Sequence, residues 1–110
     1  MPASNVIEFC RALSDETRQK ILETLQQEGE LCVNDLVACF SLSQPTISHH
    51  LNFLKKANLV TSRREGKQIL YRINQENVVA CCGILFTKIL PADMRLVDAP
   101  STQPVGDISG

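Results

Sequence analysis

Two cysteines, Cys81 and Cys82, stand side by side in the apolar run NVVACCGILFTKIL at residues 77–90. Adjacent thiolates are soft ligands that can share one soft ion, and thiols that meet in a fold can also oxidise. Plain packing is the third alternative, because a protonated cysteine behaves as a small hydrophobic residue. Three further cysteines lie elsewhere in the chain: Cys10, Cys32 and Cys39. The chemistry of the pair therefore depends on which elements bring these thiols together.

The composition limits the kind of protein that carries these thiols. A chain of 110 residues with 44% hydrophobic residues makes one small domain with a core. No apolar run reaches the ~20 residues of a membrane span. The first residues, MPASNVIEF, lack the charged and then apolar segments of a signal peptide. We therefore expect a cytoplasmic protein with no membrane partner, in which the cysteines do not form a disulfide framework.

The spacing of apolar residues predicts three helices in the first 40 residues. The first covers residues 5–13. The second follows a Ser14 cap and ends at Gly29. The segment ELCV is predicted to be extended, and Asn34 is predicted to cap a third helix that reaches about Phe40.

A polar turn, SLSQPT, separates the third helix from a fourth at about residues 44–57. Ser43 is a strong N-cap residue, and a proline is tolerated in the first turn of a helix. In the fourth helix, apolar residues repeat at i, i+4 and i+7 and are expected to face the core: Ile47, Leu51 and Leu54. The opposite face of this helix is polar.

A hairpin and a last helix complete the pattern. The segment LVTSRREGKQILYRI predicts two strands, with Glu65–Gly66 or Gly66–Lys67 at the tip. The last helix is predicted at about residues 75–90, and a disordered tail rich in Pro, Gly and Ser at 91–110. The predicted fold class is mainly α with a small β-hairpin, in the order α-α-α-α-β-β-α, with one domain over residues 1–90.

This order of elements is that of a winged helix-turn-helix, which binds DNA. The net charge is −1, but residues 49–72 contain six basic residues and one acid. The side chains able to bind base edges are Ser43, Gln44, Thr46, Ser48 and His49. Those able to neutralise phosphates are Lys55, Lys56, Arg63, Arg64 and Lys67. The alternatives are a merely solvated basic face and a Ser43 that only caps.

An enzyme is not expected, because the sequence shows no nucleophile–base arrangement and no glycine-rich phosphate loop. His49 and His50 are adjacent in the fourth helix and are not paired with an acid. His50 lies nearer the buried side of that helix, so we expect it to form a structural hydrogen bond.

Four segments resemble successive signatures of the arsenic-repressor (ArsR/SmtB) family: ALSDETRQKILETL, GELCVNDLV, LSQPTISHHLNFLKKANLV and RREGKQILYRI. The resemblance covers roughly residues 8–73. It implies a winged-helix repressor that forms a homodimer through its first and last helices and binds double-stranded operator DNA. It also implies release of the operator when a soft metal, metalloid or reactive small molecule binds, and it implies no permanent cofactor.

The resemblance also bears on the inducer. Arsenic-sensing members often have ELCVCDL, whereas this chain has ELCVNDL, with Asn34 in place of the second thiol. The zinc type needs Asp and His on the last helix, and residues 75–90 contain neither. A cadmium/lead site of the type that uses cysteines on the recognition helix is not expected either, since residues 44–57 contain no cysteine.

The expected inducer is trivalent arsenic or a similar thiophilic ion held by Cys81, Cys82 and a third thiolate. Cys32 is the first choice for the third ligand because it occupies the family's sensing position. Cys10 is the second, since the family's first helix packs near its last across the dimer. Cys39 is expected to be a packing residue. Two alternatives stay open: a thiol-based redox or persulfide-responsive repressor, and a DNA-binding regulator with no effector site.

Overall fold

The computed structural model describes the backbone of residues 2–94 and the side chains of residues 6–93. The elements in chain order are α1 (Pro2–Leu13), α2 (Glu16–Glu28), β1 (Leu31–Cys32), α3 (Val33–Phe40), α4 (Gln44–Lys56), β2 (Val60–Glu65), β3 (Gln68–Ile73), α5 (Gln75–Ile89) and a 3-10 turn (Ala92–Met94). The predicted winged helix-turn-helix is therefore confirmed. The tail predicted at 91–110 lies mostly outside the described residues, and the one-domain boundary stays a prediction.

The cap of α2 is Asp15, so the prediction of Ser14 is wrong by one residue. Asp15 has an extended backbone, and its carboxylate accepts the backbone N–H of Arg18 at 3.0 Å. The Ser14 hydroxyl instead donates to the carbonyl of Arg11 at 2.7 Å. At the other end of α2, Gly29 has φ 94° and stops the helix as predicted, because a residue without Cβ adopts that conformation readily.

The cap of α3 is Cys32, so the prediction of Asn34 is also wrong. Cys32 has an extended backbone with ψ 172°. Its backbone N–H donates to Asp35 Oδ2 at 3.1 Å, and its thiol donates to the same oxygen at 3.3 Å. Asn34 consequently lies inside the first turn of α3, with its side chain exposed.

The hairpin belongs to an antiparallel sheet of three strands in the order β1-β3-β2. The pair Glu65↔Gln68 closes the hairpin, which leaves Gly66 and Lys67 as the two tip residues. Gly66 has φ 64°, the conformation that this kind of tight turn requires. The second of the two predicted tips is thus confirmed. The short strand β1 pairs Leu31 with Tyr71 and Cys32 with Leu70, a pairing that the sequence pattern did not reveal.

The core is formed by residues of all five helices together with Val60 of β2 and Tyr71 of β3. Its largest fully buried side chains are Ile21, Leu25, Leu36, Ile47, Leu51, Leu54, Leu59, Val60 and Cys81. The predicted inward positions of the fourth helix are therefore confirmed. Helix α1 packs against α5, which brings the two helices that carry Cys10 and Cys81 together.

Large apolar side chains also remain on the surface. Ile7 of α1 is 56% exposed, and Val79 and Ile89 of α5 are 70% and 66% exposed. Helix α5 thus presents apolar groups on two sides, since Cys81 and its neighbours face the core. Within residues 2–94, no helix has the length and apolar character that a membrane crossing needs.

Candidate nucleic-acid interface and thiol pair

The first turn of α4 is built around the Ser43 cap. The Ser43 hydroxyl accepts the backbone N–H of Thr46 at 3.3 Å and donates to Thr46 Oγ1 at 2.9 Å. The two hydroxyls are therefore bound to each other at the start of the helix. Gln44 and His49 are exposed, so their amide and imidazole groups are free to approach a base edge. The opposite face of α4 fixes this orientation, because its apolar residues are fully buried.

A cleft of about 320 Å³ separates α4 from the wing, which is the β2–β3 hairpin. Gln44 and Ser48 line one wall, and Lys67 and Ile69 line the other. Cys32, at the start of α3, forms part of the floor. The start of the recognition helix and the tip of the wing therefore flank one concave surface, as binding to adjacent parts of a duplex requires.

The basic residues around this surface differ in their surroundings. Lys55 and Lys56 end α4 and are exposed, and Lys67 is exposed at the wing tip. The guanidinium of Arg64 has no ion-pair partner within residues 2–94. Arg63, in contrast, is ion-paired with Glu30 and Glu65. Among the side chains expected to contact phosphates, Arg63 is therefore already paired with carboxylates of the same chain, whereas the others remain available.

Arg18 of α2 lies beneath the recognition helix and is only 8% exposed. Its Nε donates to the carbonyl of Ala12 at 2.9 Å, and its Nη1 lies 3.4 Å from His50 Nδ1. Burial lowers the pKa of His50; Arg18 and His49 lower it as well, against the opposing effect of Asp15. Sequence reasoning expected His50 to be structural but missed Arg18, which no apolar periodicity marks.

The thiol pair lies on α5, the helix that packs against α1. Cys81 is 1% exposed and belongs to the core, whereas Cys82 is half-buried and Cys10 is exposed. Burial raises the pKa of the Cys81 thiol, and the thiols of Cys82 and Cys10 raise it further. Cys10 is therefore close enough to Cys81 to influence its ionisation. Within residues 6–93 of the single chain, no three Cys, His, Asp or Glu side chains form a group that could hold a metal ion.

The other two cysteines lie elsewhere. Cys32 is buried, caps α3 and donates to Asp35, and it makes no contribution to the pKa of Cys81. Cys39 was expected to be a packing residue, but this expectation is wrong. It is exposed in a surface hollow with Lys20, Glu23 and Phe40, whereas Val37 and Phe40 of the same helix pack against the core.

The chain matches the description "Bacterial regulatory protein, arsR family" over residues 15–62. It is 43% identical over 74 residues to a cadmium resistance transcriptional regulatory protein CadC homolog of Staphylococcus aureus, covering 67% of this chain and 61% of that protein. It is 44% identical to the transcriptional repressor SdpR of Bacillus subtilis, covering 58% of this chain and 70% of SdpR. An arsenical resistance operon repressor of Staphylococcus xylosus is 46% identical, with coverage of 60% and 62%.

Solved structures agree with this assignment. A possible transcriptional regulator for arsenical resistance superposes with a TM-score of 0.65 at 30% identity, covering 84% of this chain and 95% of that one. An ArsR-like transcriptional regulator from Rhodococcus sp. RHA1 gives a TM-score of 0.70 at 29% identity, with coverage of 79% and 80%. The chain spans about 60% of the length of the cadmium and arsenical regulators that it matches. Together with the winged helix-turn-helix geometry, these similarities show that the chain belongs to the arsR family of bacterial transcriptional regulators.

Proposed function

We propose that this protein is a homodimeric repressor that binds operator DNA and releases it when a trivalent thiophilic ion, of which arsenite is the leading candidate, binds Cys81, Cys82 and Cys10. The observation that carries the proposal is the packing of α1 against α5, which brings the helix of Cys10 onto the helix of Cys81 and Cys82. It singles out three thiols on the two helices that also present exposed apolar residues for a partner chain.

The DNA-binding part of the proposal is supported by the recognition helix and the wing. Exposed polar groups at the start of α4 match what base edges in a major groove offer, and free cations at the wing tip match phosphates. The buried face of α4 holds the helix at a fixed angle to the core. Relatives described as repressors of arsenical resistance and as SdpR support repression as the outcome of binding.

The inducer part rests on the chemistry of the thiol donors. Soft thiolates suit soft ions, and each thiol must lose its proton before it can bind one. The raised pKa of Cys81 makes this loss harder, so binding should strengthen as the pH rises. Cys10 replaces Cys32 as our choice of third ligand, because the Cys32 thiol already donates to Asp35 and caps another helix.

A route from the thiols to the DNA-binding surface runs through the end of α1. In the single chain the three thiols do not form a closed group within residues 6–93, and on our proposal an ion that draws their sulfurs together moves α1 against α5. Two carbonyls in the last turn of α1, those of Arg11 and Ala12, accept hydrogen bonds from Arg18. Arg18 in turn packs on Phe53 of α4. A coupling of ~1–3 kcal/mol along this route would lower DNA affinity roughly 5–150-fold.

The test is a titration of the operator complex with arsenite under reducing, anaerobic conditions, followed by fluorescence anisotropy. The wild-type protein should release a duplex taken from upstream of its own gene. The variants C81S, C82S and C10S should fold and bind the duplex but stay bound in arsenite. C39S, which changes an exposed cysteine outside the site, is the matched control and should respond as the wild type does.

The variant C32S separates the two choices of third ligand. If C32S stays bound in arsenite and C10S releases, the third ligand is Cys32 and our assignment is wrong. If all cysteine variants release the duplex as the wild type does, the vicinal pair is a packing feature. If arsenite has no effect on the wild type but an oxidant or persulfide releases it, the redox alternative replaces ours.

A further inference from the structure

Arg63 of the wing forms a two-point ion pair with Glu30, the residue that precedes β1. Its Nε donates to Glu30 Oε2 at 2.8 Å, and its Nη2 donates to Glu30 Oε1 at 3.0 Å. The same Nη2 also donates to Glu65 Oε1 at 3.2 Å. Paired donation of this kind is the strongest geometry available to an arginine and a carboxylate, and it fixes the plane of both groups.

The sheet places this pair on its outer face. Side chains alternate along a strand, so Arg63 and Arg64 point to opposite faces although they are neighbours in sequence. Arg64 shares the face of Ser62 and Val60, which turns towards the core. Arg63 pairs with Leu70 across the hairpin, and Leu70 pairs with Cys32 of β1 on its other side. Arg63 therefore reaches across β3 to the segment that leads into β1.

Glu30 is held as a carboxylate in this position. The hydrogen bonds from Arg63 lower the pKa of Glu30, and the charges of Arg63 and Arg72 lower it as well. The positive charge of Arg63 thus faces one carboxylate in the two-point pair and a second one on Glu65. Little of that charge is left for a phosphate, whereas the Arg64 guanidinium has no such partner within the described part of the chain.

We propose that Arg63 is a positioning residue, held by Glu30, that fixes the angle of the wing against the rest of the fold, while Arg64 and Lys67 make the phosphate contacts. The proposal rests on the DNA-binding function proposed above. Strand β2 is an edge strand bonded only to β3, and β1 is two residues long. The Glu30–Arg63 pair therefore supplies the one side-chain link, among the ion pairs of residues 2–94, that ties the wing to a segment outside the hairpin.

The sign of the effect of E30Q distinguishes positioning from phosphate binding. If Arg63 bound phosphate, removing the nearby carboxylate would free its charge and strengthen DNA binding. If Arg63 positions the wing, E30Q removes the anchor and weakens operator binding, by about two- to fivefold for a surface pair. E28Q, which removes an exposed carboxylate two residues upstream, measures the general effect of losing one negative charge.

The experiment measures operator affinity across a range of salt concentrations for the wild type, E30Q, R63Q, the double variant E30Q/R63Q, R64Q and E28Q. R64Q should reduce the slope of log affinity against log salt by about 0.9, the value for one phosphate contact. R63Q should leave the slope unchanged while lowering the affinity. The double variant should bind no more weakly than R63Q alone, because both changes remove the same link. Circular dichroism at the assay temperature confirms that each variant is folded.

Tighter binding by E30Q than by E28Q would overturn the proposal, and so would a slope for R63Q reduced as in R64Q. Equal slopes for all variants would overturn it too, since the wing would then contact no phosphate. A different result would contradict the proposed function itself. In that case the wild-type protein would bind every duplex with the same affinity and show no preference for the operator.

Discussion

The guanidinium carbon of Arg18 lies 4.0 Å from the centre of the Phe53 ring, so a nearly buried cation of α2 supports the recognition helix from below. Such a contact stabilises both side chains when water is excluded. The same guanidinium donates to the carbonyls of Ala12 and Arg11 at the end of α1. Arg18 of α2 therefore contacts both α1 and α4, and its replacement should weaken the packing between these three helices.

Replacing Arg18 with methionine should lower the free energy of unfolding by about 1–3 kcal/mol. The change keeps the apolar stem but leaves the carbonyl of Ala12 without its buried donor. Urea unfolding at neutral pH measures the loss. Arg11→Met is the control: Arg11 is exposed and forms a surface pair with Glu8, so its replacement should change stability by less than about 0.5 kcal/mol. Equal losses in the two variants would show that Arg18 has no special role.

The free energy of unfolding should fall as the pH drops below the usual His pKa of 6.5, because the pKa of His50 is lowered in the fold. Below that pH the unfolded chain gains a proton that folded His50 does not accept, so protonation favours unfolding. Burial is the main cause of the lowered pKa of His50; Asp15 opposes it, and Arg18 and His49 add to it.

Urea unfolding at pH 7.5 and 5.5 measures this loss. His50→Gln should lose less stability over that interval than the wild type. His49→Gln should keep most of the loss, because burial and Arg18 still lower the pKa of His50. A pH dependence that is identical in the wild type and in His50→Gln would contradict the assignment.

Base contacts and phosphate contacts should separate in mutant binding data. Gln44→Ala or His49→Ala should weaken operator binding by roughly 1–3 kcal/mol and reduce the preference for the operator over other duplexes. Lys67→Ala should weaken all duplexes alike and reduce the salt slope by about 0.9. Anisotropy titrations with operator and scrambled duplexes at several salt concentrations measure both quantities. Identical behaviour of the two classes of variant would refute this division of roles.

A charge on the exposed side of α5 should disrupt the proposed dimer. Val79 is 70% exposed, and Ile89 of the same helix is 66% exposed; exposed apolar side chains of this kind are buried when a protein interface forms. Val79→Glu should therefore shift the protein to a 12.2 kDa monomer at micromolar concentration in sedimentation velocity. Ile69→Glu, which charges an exposed apolar residue of the wing instead, should leave the mass unchanged. A wild-type protein that sediments only as a monomer would remove the basis for this prediction.

The positions of the helices and of the wing could be predicted from the sequence, because the spacing of apolar residues follows which side chains are buried. Ile47, Leu51 and Leu54 repeat at helical spacing and are all fully buried. The caps could not be predicted as well. Ser14 and Asp15 are both good capping residues, and the choice depends on which one has the extended backbone. Cys32 caps α3 because β1 pairing holds its backbone extended, a long-range effect that no local pattern reveals.

The candidate site was predictable in part for the same reason. Exposed polar residues at the start of α4 follow from the helix pattern, since the buried face determines the exposed one. The Glu30–Arg63 pair joins residues 33 positions apart, and the influence of Cys10 on Cys81 spans most of the chain. Both depend on strand pairing and helix packing, so the sequence could name these side chains but not their partners.

The burial of Cys81 has a consequence for the timing of the response. Cys10 is open to solvent, whereas Cys81 is 1% exposed, so a reagent reaches Cys81 only when the α1–α5 contact opens. Access then follows the rate of local opening rather than the rate of diffusion. If the proposed thiol site binds a thiophilic ion, a brief encounter would end at Cys10 and reverse, while sustained exposure would capture the buried thiol during an opening. The packing of one side chain would thereby make the proposed response depend on how long the ion is present.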